Sequence, residues 1–143
     1  MKKARFELEI DSKVENLPVI ANFVDEVLER FGADPASVYR VQLAVDEACT
    51  NVIKYAYDEK TGLIRLEMEL IGDSLVVSVN DNGKPFDPDT IPPPDLDADL
   101  DKRRIGGLGI YFMKKLMDEV SYSFDNAAGN CLTMRKSITR TGV

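Results

Sequence analysis

Glu47 and Asn51 lie four residues apart in a stretch whose apolar residues recur at helical spacing, so the two side chains share one helix face. Lys54 and Asp58 continue that face. A carboxylate at such a position can orient or deprotonate a nucleophile. The carbonyl of an Asn one turn away can help coordinate magnesium, which prefers hard oxygen ligands. A second motif, Asp81-Asn82-Gly83, closes a strand-like run. An ionised carboxylate accepts hydrogen bonds and donates none, which suits the exocyclic amino group of adenine and disfavours the carbonyl of guanine. The glycine that follows lets the chain turn sharply. A third motif, Gly106-Gly107-Leu108-Gly109, precedes an amphipathic run. Glycines admit close backbone approach, and a helix start offers free N–H groups to phosphate. Taken singly, each motif also fits a plainer role: a solvated helix face, an Asp-Asn-Gly turn, a glycine hinge.

The elements that must position these residues are legible from periodicity. Phe6, Leu8 and Ile10 alternate with Glu7 and Glu9, as in a half-buried strand. Ser12 and Glu15 read as a capping box that starts a helix with the stripe Val14, Leu17, Ala21, Val24, Leu28 and Phe31, stopped by Gly32. Asp34-Pro35 opens a second helix, whose stripe is Val41, Val45, Ala48 and Val52 and which ends near Tyr57. Alternation over Ile64–Leu70 and Leu75–Val79, with Gly72-Asp73 between them, predicts a hairpin. Ile110, Met113, Leu116, Met117 and Val120 form a third helical stripe, and two last strands cover about Ser121–Asp125 and Cys131–Ile138 around a turn at Asn126–Asn130. Helices and hairpins in this order give an α+β fold: a two-layer sandwich with a mixed, mostly antiparallel sheet and helices packed on one face. Residues 1–143 make a single domain.

Between Asp81 and Ile105 the chain is irregular. It holds five prolines, then acids at Asp95, Asp97, Asp99 and Asp101, then Lys102-Arg103-Arg104. A loop this long within a compact domain reads as a mobile lid over about 84–105, or else as a disordered insertion.

Composition narrows the classes. Net charge is −7, against the basic face a nucleic-acid binder needs. No apolar run nears the ~20 residues that span a bilayer, and strand-like alternation begins at once, so neither a membrane segment nor a signal peptide is expected and the location reads as cytoplasmic. Cys49 and Cys131 show no metal-ligand spacing and read as buried thiols. The chain has no histidine, which removes histidine bases and phosphohistidine chemistry from it.

The three motifs occur in order, with the long loop between the last two, an arrangement that resembles the GHKL ATP-binding superfamily. The strings Asp46-Glu47-Ala48-Cys49-Thr50-Asn51, Tyr55-Ala56-Tyr57, Asp81-Asn82-Gly83-Lys84-Pro85-Phe86-Asp87-Pro88, Gly107-Leu108-Gly109 and Met117-Asp118-Glu119-Val120 look like the anti-sigma-factor serine/threonine kinases of the RsbW type, over nearly the whole chain. That resemblance implies a histidine-kinase-like ATPase fold of the Bergerat type, with ATP and Mg2+ as cofactors. It implies Glu47 as general base for a serine or threonine hydroxyl and Asn51 as the magnesium ligand. Asp81, with Gly83 beside it, would contact adenine, and Gly107, Leu108 and Gly109 would contact phosphate. Some members carry an arginine two positions before the first glycine of Gly-x-Gly, where this chain has Ile105; Arg104, or Arg103, is then the residue for the γ-phosphate. The implied partners are a small antagonist protein with a phosphorylatable Ser or Thr, a sigma factor, and a second copy of the chain. Two functions fit: a protein serine/threonine kinase that switches a partner-binding regulator, or a nucleotide-dependent binding switch without significant kinase activity.

Overall fold

The structure, a computed structural model, describes residues 3–57, 61–85, 109–125, 127 and 129–140. Five strands form one sheet: β1 (Lys3–Asp11), β2 (Leu63–Ile71), β3 (Ser74–Asp81), β4 (Glu119–Asp125) and β5 (Gly129–Ser137), in the spatial order β1-β2-β3-β5-β4. Every described pairing is antiparallel, so the expected mixed sheet is uniform here. The β2–β3 hairpin turns through Gly72, whose φ of 62° is left-handed backbone that glycine adopts without a Cβ penalty. Three helices, α1 (Leu17–Phe31), α2 (Pro35–Tyr55) and α3 (Gly109–Leu116), cover one face.

The period of two in the strands decides which side meets the helices. Ile64, Leu66, Met68 and Leu70 on β2, Leu75, Val77 and Val79 on β3, and Leu132 and Met134 on β5 are all buried. Their neighbours in sequence, among them Arg65, Glu67, Ser78 and Thr133, lie on the other face, more open to water. Helix α2 lies between α1 and α3 and buries Val41, Val45, Ala48 and Val52 as its periodicity predicts. Asp34 holds its N-cap position in extended backbone, with Pro35 in the first turn. Gly32 ends α1 in left-handed backbone at φ 70°, and its N–H and that of Ala33 take up carbonyls of the last turn.

Three local expectations are corrected. Ser12 and Glu15 form no capping box. Ser12 is buried, its N–H donates to the Gly62 carbonyl (2.8 Å), and its Oγ accepts from the Gly62 N–H (3.0 Å). It clamps the end of β1 to the start of β2, while a single 3-10 turn at Val14–Asn16 delays α1 to Leu17. The delay changes the helix phase: Val14 and Ala21 are exposed, and the buried stripe is Ile20, Val24, Val27, Leu28 and Phe31. Val120 belongs to β4 rather than to α3. The chain leaves the helix after Leu116, where the Asp118 N–H donates to the Arg135 carbonyl (2.8 Å) and the Asp118 carboxylate accepts from the Ser137 N–H (2.7 Å). Cys49 is buried as expected, but Cys131 is only half-buried. Beyond Lys84 and Pro85, the 84–105 segment lies outside the described residues. No described helix is long and apolar enough to cross a membrane.

The Ser12 clamp separates two outcomes. Ser12→Ala leaves the Gly62 N–H without its acceptor, and is expected to lower stability by about 1–2 kcal/mol in urea denaturation. Glu15→Ala should change stability by no more than about 0.5 kcal/mol, as at an ordinary surface position. Equal losses from both would restore the capping box.

Candidate functional site

The inward face of the sheet is apolar until its last register position. There, β3 ends in Asp81 and Asn130 is the second residue of β5, and the two are direct cross-strand partners. Both are buried, at 4% and 1% exposure. They occupy the same parity as Val79 and Leu132, so alternation places their polar side chains on the helix side, where a core residue would otherwise sit.

The pair is hydrogen-bonded. Asn130 Nδ2 donates to Asp81 Oδ1 at 2.8 Å, and also lies 3.3 Å from the Gly83 carbonyl and 3.2 Å from that of Lys84. The Gly83 N–H donates to the same Asp81 Oδ1 at 2.9 Å. Tyr122, from β4, donates its hydroxyl to Asn130 Oδ1 at 2.8 Å. Burial pushes the Asp81 carboxyl above the usual carboxylate range, and the Asn130 and Gly83 hydrogen bonds act in the opposite sense by favouring the charged form.

Helix α2 supplies the opposite wall. Asn51 is 1% exposed, and neither its Oδ1 nor its Nδ2 has a hydrogen-bond partner among the described residues. An amide buried in this way costs on the order of 1–3 kcal/mol. Asn51 lines one pocket together with Ala48, Val52, Val79, Asp81, Met113, Tyr122, Asn130 and Leu132. Two of the sequence motifs therefore meet in three dimensions, with Asn51 from α2 facing the same space as Asp81 from β3. Asn51 lies deeper than its helix phase suggested, flanked by the buried Ala48 and Val52. Glu47, one turn earlier, is half-buried and is not among the lining residues.

Gly83 has a different reason from the expected sharp turn. Its backbone is not left-handed, and a Cβ added there would collide with the Ala56 carbonyl. The missing side chain lets the segment after β3 lie against the end of α2, where the Lys84 N–H donates to the Ala56 carbonyl at 2.6 Å. Tyr57 adds a second tie. Its hydroxyl donates to the Leu63 carbonyl (2.7 Å) and accepts from the Asn82 N–H (2.9 Å). The stretch that carries Asp81 is thus held by both α2 and β5.

Gly109 begins α3; Gly107, Leu108 and Arg104 lie outside the described residues. Sequence reasoning missed Asn130 and Tyr122. The available signal was parity, because Asn130 stands two and four residues before Leu132 and Met134, at a core-facing position of β5. Cys49, although on α2, is chemically quiet: burial first, and then the Asp46 charge, push its thiol up to about 12. Among the described residues no group of three or more His, Cys, Asp or Glu side chains could hold a metal ion.

Comparison with known proteins gives the family of the chain. Residues 10–136 match the histidine kinase-like ATPase domain, which implies ATP binding. Serine-protein kinase RsbW from Staphylococcus aureus strain MRSA252 is 32% identical over 148 aligned positions, covering 99% of this chain and 92% of the relative, and the protein from strain JH9 matches to the same extent. A crystal structure of the RsbU and RsbW domains of a Mycobacterium tuberculosis protein superposes with a TM-score of 0.69 at 19% identity; it covers 96% of this chain, which spans 33% of that longer one, and it bears on the fold alone. With its motifs, its sheet order and these matches in agreement, the chain belongs to the histidine kinase-like ATPase domain family, among the relatives of the RsbW serine-protein kinases.

Proposed function

We propose that this protein is an ATP-dependent protein serine/threonine kinase acting as an anti-sigma factor or a related partner-switching regulator. It transfers the γ-phosphate of ATP to a small antagonist protein and works as a single domain. The observation that carries the reading is Asn51: a buried amide with no partner among the described residues, facing a buried carboxylate across one pocket. Such a group fits an absent ligand better than it fits a core.

The residues also fit the ligand by type. Asn51 Oδ1 is a hard oxygen suited to magnesium, an ion that takes few protein ligands and completes its shell with water and substrate phosphate. When bound, magnesium offsets charge on the phosphates. Asp81 accepts from the adenine amino group, with Gly83 fixing the backbone beside it. Gly107, Leu108 and Gly109 offer backbone N–H groups to phosphate at the start of α3, and Arg104 reaches the γ-phosphate. Glu47 takes the proton from the acceptor's Ser or Thr hydroxyl as its oxygen bonds to the γ-phosphorus and the bond to the β–γ bridging oxygen breaks, leaving ADP. Phosphate added to the acceptor changes its charge and so its interface with the kinase. A sigma factor as the released partner, a homodimeric state and a cytoplasmic location belong to the same proposal; the RsbW relatives, named serine-protein kinases, support its kinase part.

Glu47→Gln tests the transfer step. With magnesium and γ-labelled ATP in an extract of the source cells, the wild type is expected to label one small protein. The variant should lower that labelling at least ~100-fold, in line with the loss of a general base, while ATP affinity by titration changes less than about threefold. Intact ATP binding with no labelling by either protein would leave a nucleotide-dependent binding switch without kinase activity.

Asp81→Asn tests the adenine contact. The folded Asp81 carboxyl titrates above its unfolded value. Its contribution to stability is therefore complete below the unfolded value and is lost as pH rises through the folded one. The ligand-free variant, which carries no charge there, is expected to melt above the wild type at neutral pH, with the gap closing in acid. Its ATP affinity should fall at least ~tenfold, as expected when a charged hydrogen bond is lost. An unchanged ATP affinity would remove Asp81 from the nucleotide site.

A further inference from the structure

We propose that Asn130 is a specificity-determining residue of the nucleotide pocket: its amide holds the Asp81 carboxylate as a pure acceptor, so that the pocket takes a purine with a 6-amino group and rejects one with a 6-keto group. The inference rests on the nucleotide-binding reading given above and adds to it a residue that touches Asp81 and shapes what Asp81 can recognise.

The geometry fixes the amide's orientation. Nδ2 faces three acceptors, namely Asp81 Oδ1 and the carbonyls of Gly83 and Lys84. Oδ1 faces the Tyr122 hydroxyl, which donates to it. A flipped amide would place its oxygen against a carboxylate and two carbonyls, an arrangement in which none of the four oxygens can donate. The hydrogen bonds described for Asp81 both fall on Oδ1. None falls on Oδ2, and the residue lines the pocket. One carboxylate oxygen is therefore bound to the protein, and the other is left for the ligand.

Without the Asn130 donor, the carboxylate keeps only the Gly83 N–H. A buried carboxyl with fewer donors takes up a proton more readily. A protonated carboxyl gains a donor, and a donor accepts the 6-keto oxygen that a carboxylate repels. Asn130 thus acts on discrimination as well as on affinity. Tyr122 acts through Asn130, by keeping its amide from turning, and is a positioning residue.

The test is the ratio of affinities for ATP and inosine triphosphate, whose base carries a 6-keto in place of a 6-amino group, measured by titration calorimetry with magnesium present. The wild type is expected to favour ATP at least ~tenfold. Asn130→Leu, which has the same branching and number of side-chain heavy atoms but lacks the amide, should reduce that ratio about tenfold, mainly through weaker ATP binding, as for loss of one hydrogen bond to a charged group. Tyr122→Phe, which removes only a hydroxyl, should reduce it about threefold. Thermal melts establish that each variant folds; if Asn130→Leu does not, Tyr122→Phe decides. Affinities for the two nucleotides that fall together, at an unchanged ratio, would make Asn130 a structural residue only and overturn the inference while leaving the nucleotide site standing. A wild type that binds both nucleotides equally would overturn the adenine contact at Asp81 as well, and one that binds neither would overturn the nucleotide reading itself.

Discussion

The fold is organised around a carboxylate that stands where a core side chain would otherwise be. Asp81 is the last inward-facing residue of β3, in a file whose other members, Leu75, Val77 and Val79, are fully apolar. A buried charge is tolerated only where hydrogen bonds replace the water it has lost. Here the replacement comes from Asn130, its cross-strand partner, and from the Gly83 N–H two residues on. The register of β5 against β3 is therefore under polar as well as apolar control. A slip of one residue would turn Leu132 and Met134 outward and would also strip Asp81 of its amide. The sheet order supports the same end, because β5 lies between β3 and β4 and so can face Asp81 on one side and Tyr122 on the other.

Asn51 is the complementary case. Asp81 is buried with one carboxylate oxygen held by two hydrogen bonds; the Asn51 amide is buried with no partner among the described residues. Stability alone would replace Asn51 with an apolar residue, since its neighbours Ala48 and Val52 already face the core. Among the described residues nothing relieves the folding penalty of this amide, and a ligand that relieves it stabilises the folded state. The pocket is in this sense a local conflict in an otherwise consistent design, which is where function is expected to lie.

Much of this was legible from sequence where the signal is local and one-sided. The strands were readable because a single face of the sheet is buried, which keeps the alternation of β2 and β3 clean. The second helix was readable from Asp34-Pro35 and the Val41–Val52 stripe. The failures have a common cause. Ser12 and Glu15 match a local capping pattern, but the partner of Ser12 is Gly62, fifty residues away. Val120 continues the α3 stripe in sequence, yet Asp118 is anchored to Arg135 and Ser137, which end the helix first. Asn and Gly cluster over 126–130 and read as a turn; the tertiary fact that Gly129 begins a strand whose Asn130 pairs with Asp81 is invisible to local composition. The juxtaposition of Asn51 with Asp81 likewise depends on α2 packing over the sheet, which motif spacing does not encode.

The separation between Asn51 and Glu47 bears on the kind of acceptor. Asn51 is sealed among core residues and faces the pocket. Glu47, one turn away on the same helix, is half-buried and stands outside the pocket lining. One turn further, Leu43 is 38% exposed, and beyond it Tyr39 is 66% exposed. Along this row the helix passes from closed interior to open surface, with Glu47 at the boundary. A small acceptor would be best served by a base inside a closed cavity. On the proposed reading of Glu47 as the base, a side chain at this boundary fits a hydroxyl carried on another macromolecule, which would meet the nucleotide at the pocket's edge. The helix that buries the amide also shields one carboxylate oxygen of Glu47, Oε2, although the residue as a whole is half-buried; a base so placed at the boundary, on the reading proposed above, suits a protein acceptor better than a metabolite.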